Sequence, residues 1–507
     1  MADAARLNPA VVLVTDRTLS AAYKVIFEAM LATMQTTKVP RLVMEGLLCP
    51  RVPADRAGRA SSASISIRRV ASCLLARTDL TDRDVVCVTP ESLEKVLGPW
   101  VKIVGVSSSD PLGGGMSNTT TSTFWSGELY TALWTDRMMQ RIRRAKARWG
   151  FRVIAGGGGA WQWARDRATA ERHGIDVVYE GYFESAGPQL VTDILAGRAV
   201  PDHLRAARTA TDAVEPITGP AVLGMLELSR GCGKGCGFCP MAAQRMEHVP
   251  VETILADLET NVAGGQTCAV SSSEDFFRYG GRGSQVNFEA LRSLLERMHE
   301  VRGLRFMQID HANISSVLQL SVEDLREIRR LLRFGHHARY LWVNMGIETA
   351  SPRLLRSVSP GKAAPFSPED WEAMVREAAR RVDEAGFFPV FSIILGLPGE
   401  TPDDVARTLK LVRDLDRRPV VVFPIFYEPL PRPGAEPDRT FSLDSMTPAH
   451  LDLYTTCHEI NFRRLPPLFW DNQRAGGVGR LKRIMLQLLG RAEMRTWRKA
   501  FKRLRTG

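Results

Sequence analysis

Short, almost wholly apolar runs recur along this chain. Most are followed by a loop rich in glycine, serine or acidic residues and then by an amphipathic helical stretch. In the first block the runs fall at residues 10–15, 84–88, 101–106, 151–155 and 176–179, with helical periodicity between them, as over residues 127–149. Uninterrupted apolar runs belong to strands buried on both faces, and strands alternating with helices belong to parallel sheets. The pattern predicts a doubly wound, Rossmann-like α/β domain over residues 1–205, its ligand crevice at the carboxyl ends of the strands. Residues 201–220 are polar and proline-punctuated and read as a linker, with 206–220 as the segment between domains. The alternation then restarts, with candidate strands at 223–228, 268–272, 304–309, 340–345, 388–395 and 420–426. The helices expected between them are 251–263, 288–301, 322–332, 368–385 and 402–415. Six such units predict an open, partial (β/α)6 barrel over residues 221–440. Residues 441–507 carry helical periodicity only.

The strongest chemical signal follows the first strand of the second block. Ser229-Arg230-Gly231-Cys232-Gly233-Lys234-Gly235-Cys236-Gly237-Phe238-Cys239-Pro240 sets three cysteines in a CxxxCxxC spacing on a glycine-rich loop. Glycine lets the backbone wrap closely around a compact inorganic cluster. Four cysteine thiolates complete an electron-transfer 4Fe–4S centre, whereas three leave one iron free for a substrate or cofactor. The same loop with a distant His or Cys as fourth ligand is a zinc site, the alternative reading. Met1 to Arg6 lack a charged start leading into a signal-length apolar core, and no apolar run approaches the roughly 20 residues that span a bilayer. Eight cysteines without a leader, three of them clustered, predict reduced thiols, a metal site and a cytoplasmic protein.

This cysteine loop after the first strand of a six-unit partial barrel resembles the radical S-adenosylmethionine superfamily, over roughly residues 221–440. The resemblance implies that Cys232, Cys236 and Cys239 hold a 4Fe–4S cluster whose open iron chelates the amino and carboxylate groups of S-adenosylmethionine. It further implies reductive cleavage of the sulfonium to a 5′-deoxyadenosyl radical. Phe238 matches the aromatic position near the adenine. Ser272-Ser273-Glu274-Asp275 is similar to the segment that binds the methionine amino group, which makes Glu274 the candidate. Gly346-Ile347-Glu348-Thr349 is similar to a motif whose polar groups meet the ribose or carboxylate, which marks Glu348. Gly396-Leu397-Pro398-Gly399-Glu400-Thr401 resembles a further motif of the superfamily and marks Gly396. It also reads as a plain turn with a Thr401–Asp404 capping-box variant. His311, after the third strand, and Tyr427, after the sixth, face the same end and join Glu274 as candidate catalytic contacts. Hydrogen-bonded strand-end packing is the blander reading of the histidine.

The doubly wound domain ahead of this barrel is similar to the cobalamin-binding domain of the cobalamin-dependent class. In that arrangement the corrin lies between the strand tips and the barrel. Ser107, Ser108 and Gly113 in one loop and Gly156, Gly157 and Gly158 in another stand where the class surrounds the corrin and its nucleotide tail. Close approach of backbone to a flat ligand needs small residues. One departure is plain. Where many such domains place Asp-x-His-x-x-Gly, this chain has Asp16-Arg17-Thr18-Leu19-Ser20, with no histidine to ligate cobalt from below. Two readings follow: a corrin bound without that ligand, or a vestigial or substrate-binding domain without corrin. The chemistry implied is methyl transfer, radical or polar. It needs cobalamin, S-adenosylmethionine, the 4Fe–4S cluster and an external electron donor such as flavodoxin or ferredoxin. A small molecule, peptide or lipid all suit the substrate's place.

Charge adds one more constraint. Of 67 Lys and Arg, eleven fall in residues 474–507 beside a single acid, Glu493, so this segment carries +10 of the net +11. A nearly neutral body disfavours nucleic acid as its partner. In the basic tail Leu481, Ile484, Met485 and Leu488, then Met494, Trp497, Phe501 and Leu504, repeat at helical spacing, and Gly490 is expected to separate two helices. Such helices meet a membrane or another anionic partner. Alternatively their apolar stripe docks on the barrel through Trp497 and Phe501.

Overall fold

The computed structural model describes residues 7–336, 338–430 and 440–506. Met1–Arg6, the stretch read for a leader, and residues 431–439 at the end of the expected barrel lie outside the described residues.

Six strands, β1 (Val11–Thr15), β2 (Val85–Val88), β3 (Ile103–Ser107), β4 (Arg152–Gly156), β5 (Val177–Glu180) and β6 (His203–Arg205), form a parallel sheet in the order β2-β1-β3-β4-β5-β6. Helix α1 (Ile65–Arg77) packs on one face, α2 (Met116–Phe124) leaves the tip of β3, α3 (Tyr130–Trp149) packs on the opposite face, and α4 (Phe183–Leu195) joins α1. In β1, Val12 and Val14 enter the layer under α3 while Val11 and Leu13 enter the layer under α1. Burial on both sides is why the strand reads as a continuous apolar run. β6 falls inside the stretch read as linker. Its pairing with β5, His203 opposite Val178, makes it the sheet's edge.

The second block supplies β7 (Met225–Glu227), β8 (Ser229–Arg230), β9 (Glu247–His248), β10 (Cys268–Ser272), β11 (Phe306–Gln308), β12 (Trp342–Glu348), β13 (Phe388–Leu395) and β14 (Val421–Phe426). β7-β10-β11 and β12-β13-β14 are parallel sheets, and a parallel bridge between Ala312 and Met345 joins them into one six-stranded wall. Helices α5 (Val251–Ala263), α6 (Phe288–Glu300), α7 (Val322–Leu332), α8 (Trp371–Glu384) and α9 (Pro402–Leu415) alternate with the strands. The antiparallel pair β8–β9 closes the base of the cysteine loop. The free edge of β14 is covered by α10 (Pro448–Ala475). There Asn461 accepts a hydrogen bond from the Val422 N–H at 2.9 Å and donates one to its carbonyl at 2.7 Å, replacing a neighbouring strand.

The tail corrects one expectation. Arg480–Thr506 is a single helix, α11, and Gly490 does not divide it. A mid-helix glycine costs only about 1 kcal/mol, and buried Leu486 and Phe501 anchor the helix on either side of it. Trp497 stacks on His458 at 4.8 Å and meets Trp125 edge-on at 4.7 Å, so the tail docks against α10 and the segment after α2. No helix among the described residues is long and apolar enough to cross a membrane.

A buried ionic chain fixes the two α/β units together. Arg69 on α1 binds Asp257 on α5 with both terminal nitrogens and reaches Glu227 on β7 at 3.0 Å. Arg230 on β8 takes the other oxygen of Glu227 at 2.7 Å and forks onto Glu184 of α4 at 2.9 and 3.1 Å. Burial lifts the Glu227 carboxyl, but the two guanidiniums outweigh it and hold the group below its ordinary range. Asp257 is fully enclosed. Arg69→Met leaves that carboxylate buried and unpaired, so chemical denaturation should show a loss of about 3–5 kcal/mol. Arg69→Lys should recover only part of it, because an ammonium cannot make the fork.

Candidate active site

The cysteine loop turns sharply at Gly231, Gly233 and Gly235, all with positive φ. A Cβ at Gly231 would meet the Gln244 carbonyl at 2.8 Å, so the tight return of the loop requires glycine there. Three neighbouring segments pin the loop. The Cys232 N–H donates to Gln244 and the Gly237 N–H to Val358, while the Gly361 N–H donates back to Lys234. Buried Lys234 donates from Nζ to Ser315 Oγ and the Ala364 carbonyl, both at 3.0 Å. Arg278 donates to the Cys232 carbonyl at 2.6 Å and lies 3.9 Å from its Sγ.

Cys232, Cys236 and Cys239 are free and partly exposed, and Cys232 and Cys239 both feel the charge of Cys236. Burial pushes the Cys239 thiol up to about 11 and raises Cys232, so both are protonated at neutral pH until a metal displaces the protons. Among the described residues no three His, Cys, Asp or Glu side chains form a ready-made metal cage. The donor set nevertheless fits a 4Fe–4S cluster: three soft thiols on one pinned loop, with cationic Lys362 and Arg278 beside them.

Around this loop the strand tips bring Glu274, Asp310, His311, Glu348 and Lys362 to one end of the barrel. Glu274 is half-buried, and burial raises its carboxyl above the ordinary range although His311 opposes this. Its neighbour Asp275 is structural: wholly buried, it ion-pairs Arg278 at 3.3 Å and accepts from Asn313 and Ser316. His311 Nδ1 meets Asp310 at 3.1 Å. Its side chain is 52% exposed. Glu348 ends β12 at φ +63°, a strained angle for a non-glycine residue, and is held there by an ion pair with buried Lys362. Gly346 leaves the room this pair needs. Burial works against the Lys362 ammonium, but Glu348 and Cys236 hold its pKa above the ordinary value. Phe238 is buried in the barrel core, as is Tyr427, which packs at the end of β14. Gly396 faces Phe441, and its N–H donates to Glu400 at 2.7 Å. Thr401 and Asp404 form the capping box that starts α9. Lys234, Arg278, Asp310 and Lys362 were not singled out in the sequence; Arg278 and Lys362 reach the site through contacts distant along the chain, to Cys232 and Glu348.

The tips of the doubly wound sheet form the second half. The two loops expected to cradle a corrin lie on each other: Gly159 N–H donates to the Ser108 carbonyl at 2.9 Å and Ser108 N–H to Gly156 at 3.1 Å. A Cβ at Gly157 would fall 2.6 Å from Ser107 Oγ, whereas Gly158 faces open space. The glycine at 157 therefore serves loop packing first. Ser107 donates to Ser66 at the start of α1 at 2.9 Å, and Gly113 turns at positive φ against Leu129. Asp16 accepts from the Thr18 N–H and hydroxyl, and Arg17 is spent on the Cys49 carbonyl and Glu91. Asp16 Oδ1 and the Arg17 guanidinium are thereby engaged within the domain, and this turn carries no histidine. Burial pushes Asp16 up to about 6. Five buried polar atoms near these tips lack partners: Thr15 Oγ1, Asp16 Oδ2, Ser108 Oγ, Asn118 Oδ1 and Thr135 Oγ1. Buried polar atoms are ordinarily satisfied, and this group suits a ligand fringed with amides, as cobalamin is.

Comparison with known proteins agrees with this geometry. Residues 226–412 match the model of the radical SAM superfamily. The chain is 27% identical over 231 residues to the ribosomal protein uS12 methylthiotransferase RimO of Anaeromyxobacter sp. (strain Fw109-5), covering 45% of each chain. It thus spans less than half the length of that relative. It is 24% identical over 373 residues to the tRNA-2-methylthio-N(6)-dimethylallyladenosine synthase of Leptothrix cholodnii, covering 70% of this chain and 72% of the other. Among solved structures it resembles the radical S-adenosylmethionine methyltransferase TsrM from Kitasatospora setae, with cobalamin and a 4Fe–4S cluster bound. The TM-score is 0.50 at 16% identity, over 82% of this chain and 75% of that one. That likeness is one of fold.

Asp310 is the main cause that pulls the His311 imidazolium up to about 9 against the effect of burial. The pair's stabilisation is complete below the ordinary value of 6.5 and is lost as pH rises through about 9. In Asp310→Asn the imidazole should titrate at distinctly lower pH, followed by NMR of the ring; an unchanged midpoint would refute the pairing.

Proposed function

We propose that this chain, whose residues 226–412 are a radical S-adenosylmethionine domain, is an enzyme that moves a methyl group by way of cobalamin onto an organic substrate. The observation that carries the reading is the lock between the two strand-tip surfaces. Arg230, the residue before the cysteine loop, forks onto Glu184 at the start of α4 and lies 4.2 Å over the ring of Tyr182. Phe426 at the end of β14 donates its N–H to Thr120 of α2 at 2.7 Å. The cysteine loop and the tips of the doubly wound sheet thus face one shared region.

When bound, the cluster supplies the electron that cleaves S-adenosylmethionine, and cobalamin carries the methyl group. Cys232, Cys236 and Cys239 hold the first; the polar atoms at the tips of β1 and β3 hold the second. Glu274, kept partly out of water, accepts the ammonium of S-adenosylmethionine. Lys362 offers positive charge beside the cysteines for its carboxylate, and Phe238 supports the wall behind the third cysteine. His311, protonated at neutral pH, orients the substrate from the strand tips. The substrate is a small molecule, peptide or lipid, and flavodoxin or ferredoxin serves as electron donor. Free thiols at all eight cysteines suit the reducing cytoplasm.

A second reading, a radical enzyme whose first domain holds no corrin, draws on the Gly157 packing and the closed Asp16–Thr18 turn. One experiment separates the two. Anaerobically reconstituted protein should bind about four irons and one corrinoid by absorption, and give methylated product from labelled S-adenosylmethionine. Cys236→Ala should lose the iron but keep the corrinoid. Cleavage of S-adenosylmethionine with no corrinoid retained under any condition would favour the second reading.

A further inference from the structure

Helix α11 has two faces with different fates. Its inner face is committed: Leu486, Trp497 and Phe501 pack on the body, Lys482 pairs with buried Glu28 at 2.9 Å, and Arg483 lies 4.4 Å over Trp470. Its outer face is not. Leu481 is 72% exposed, Leu488 59%, Met485 45% and Ile484 40%. At 3.6 residues per turn, positions 480, 481, 484, 488, 491, 495 and 499 fall on one side of a helix. That side reads Arg480, Leu481, Ile484, Leu488, Arg491, Arg495, Lys499: an aliphatic stripe with a cation before it and three after it. Among the described residues these four cations have no ion-pair partner, although Arg498 and Arg505 on the same helix do. The helix has 27 residues, about 40 Å of length, and lies on a chain whose other residues, 1–473, are nearly neutral.

We infer that this outer face seats the protein on an anionic phospholipid surface. A contiguous stripe of exposed leucine and isoleucine calls for a low-dielectric partner, and unpaired cations on the same face call for a negative one. An anionic bilayer meets both at once: acyl chains for Leu481, Ile484 and Leu488, headgroups for Arg480, Arg491, Arg495 and Lys499. A nucleic-acid duplex satisfies only the cations and leaves the aliphatic half in water. Because the inner face is fixed by Trp497, Phe501 and Glu28, docking requires no unfolding of the helix. The inference stands apart from the proposed chemistry.

The test is sedimentation of the full chain with vesicles of phosphatidylglycerol mixed into phosphatidylcholine, against phosphatidylcholine alone and against bulk tRNA as competitor. Binding is expected to the anionic vesicles only and to weaken with salt. Leu481→Gln with Leu488→Gln, and separately Arg491→Gln with Arg495→Gln and Lys499→Gln, should each lower partitioning roughly tenfold or more. Thermal unfolding should stay unchanged, because these side chains are exposed. Three results would each overturn the inference: no binding to the anionic vesicles, binding indifferent to the leucine substitutions, or displacement from vesicles by equimolar tRNA.

Discussion

Arg230 is the residue through which the two halves of this molecule become one site. It stands on β8, just after the first barrel strand and one position before the cysteine loop, and its guanidinium is divided between Glu227 on its own side and Glu184 of the other domain. A guanidinium so placed could not be exchanged for an ammonium, since its fork sets direction as well as charge. Arg69 repeats the arrangement from the opposite side, crossing from α1 to Asp257 and Glu227. The linker is drawn into the same chain of charges, because the Ile217 N–H donates to Asp257 and the Ala221 N–H to Asn261. A buried ionic chain is a weak source of net stability. It does fix one relative orientation, and that orientation presents the tips of both sheets to each other.

Much of the fold was legible because its strands are buried on both faces. Residues 268–272, 388–395, 251–263, 322–332 and 402–415 begin and end as their patterns predict. The failures have local causes. The first barrel strand is short because Leu223 takes a positive φ in a helical turn and Gly224 lies against the Cys268 carbonyl. β6 was hidden in a polar stretch because an edge strand needs little apolar content. Gly490 promised a break that packing on both sides overrode. Propensity is a weak prior wherever tertiary contacts decide.

The site divides in the same way. The cysteine loop is local in sequence and was legible from spacing alone. Glu274 and His311 were legible because strand ends converge in this architecture. Lys362 meets Glu348 fourteen positions away, and Arg278 meets Cys232 forty-six positions away. No periodicity reports such contacts. In the first domain the positions of Ser107, Ser108 and Gly156–Gly158 at the strand tips were legible, but part of the reason for the glycines was not. Gly157 accommodates the serine loop before any ligand, and only coordinates reveal that.

Lys234 shows how the cysteine loop depends on what it holds. It is buried, and burial lowers its pKa. Both of its hydrogen-bond acceptors, Ser315 Oγ and the Ala364 carbonyl, are neutral. Asp275 favours the ammonium, but it is already paired with Arg278, and burial outweighs it. A buried ammonium with neutral partners is costly. With the cysteines as thiols, that cost stands. Ionisation of Cys232, Cys236 and Cys239 on binding a metal cluster would place negative charge beside Lys234 and offset it. Metal loading and the charge balance of the loop would then be the same event, which would give this lysine a reason to sit between the first and second cysteines.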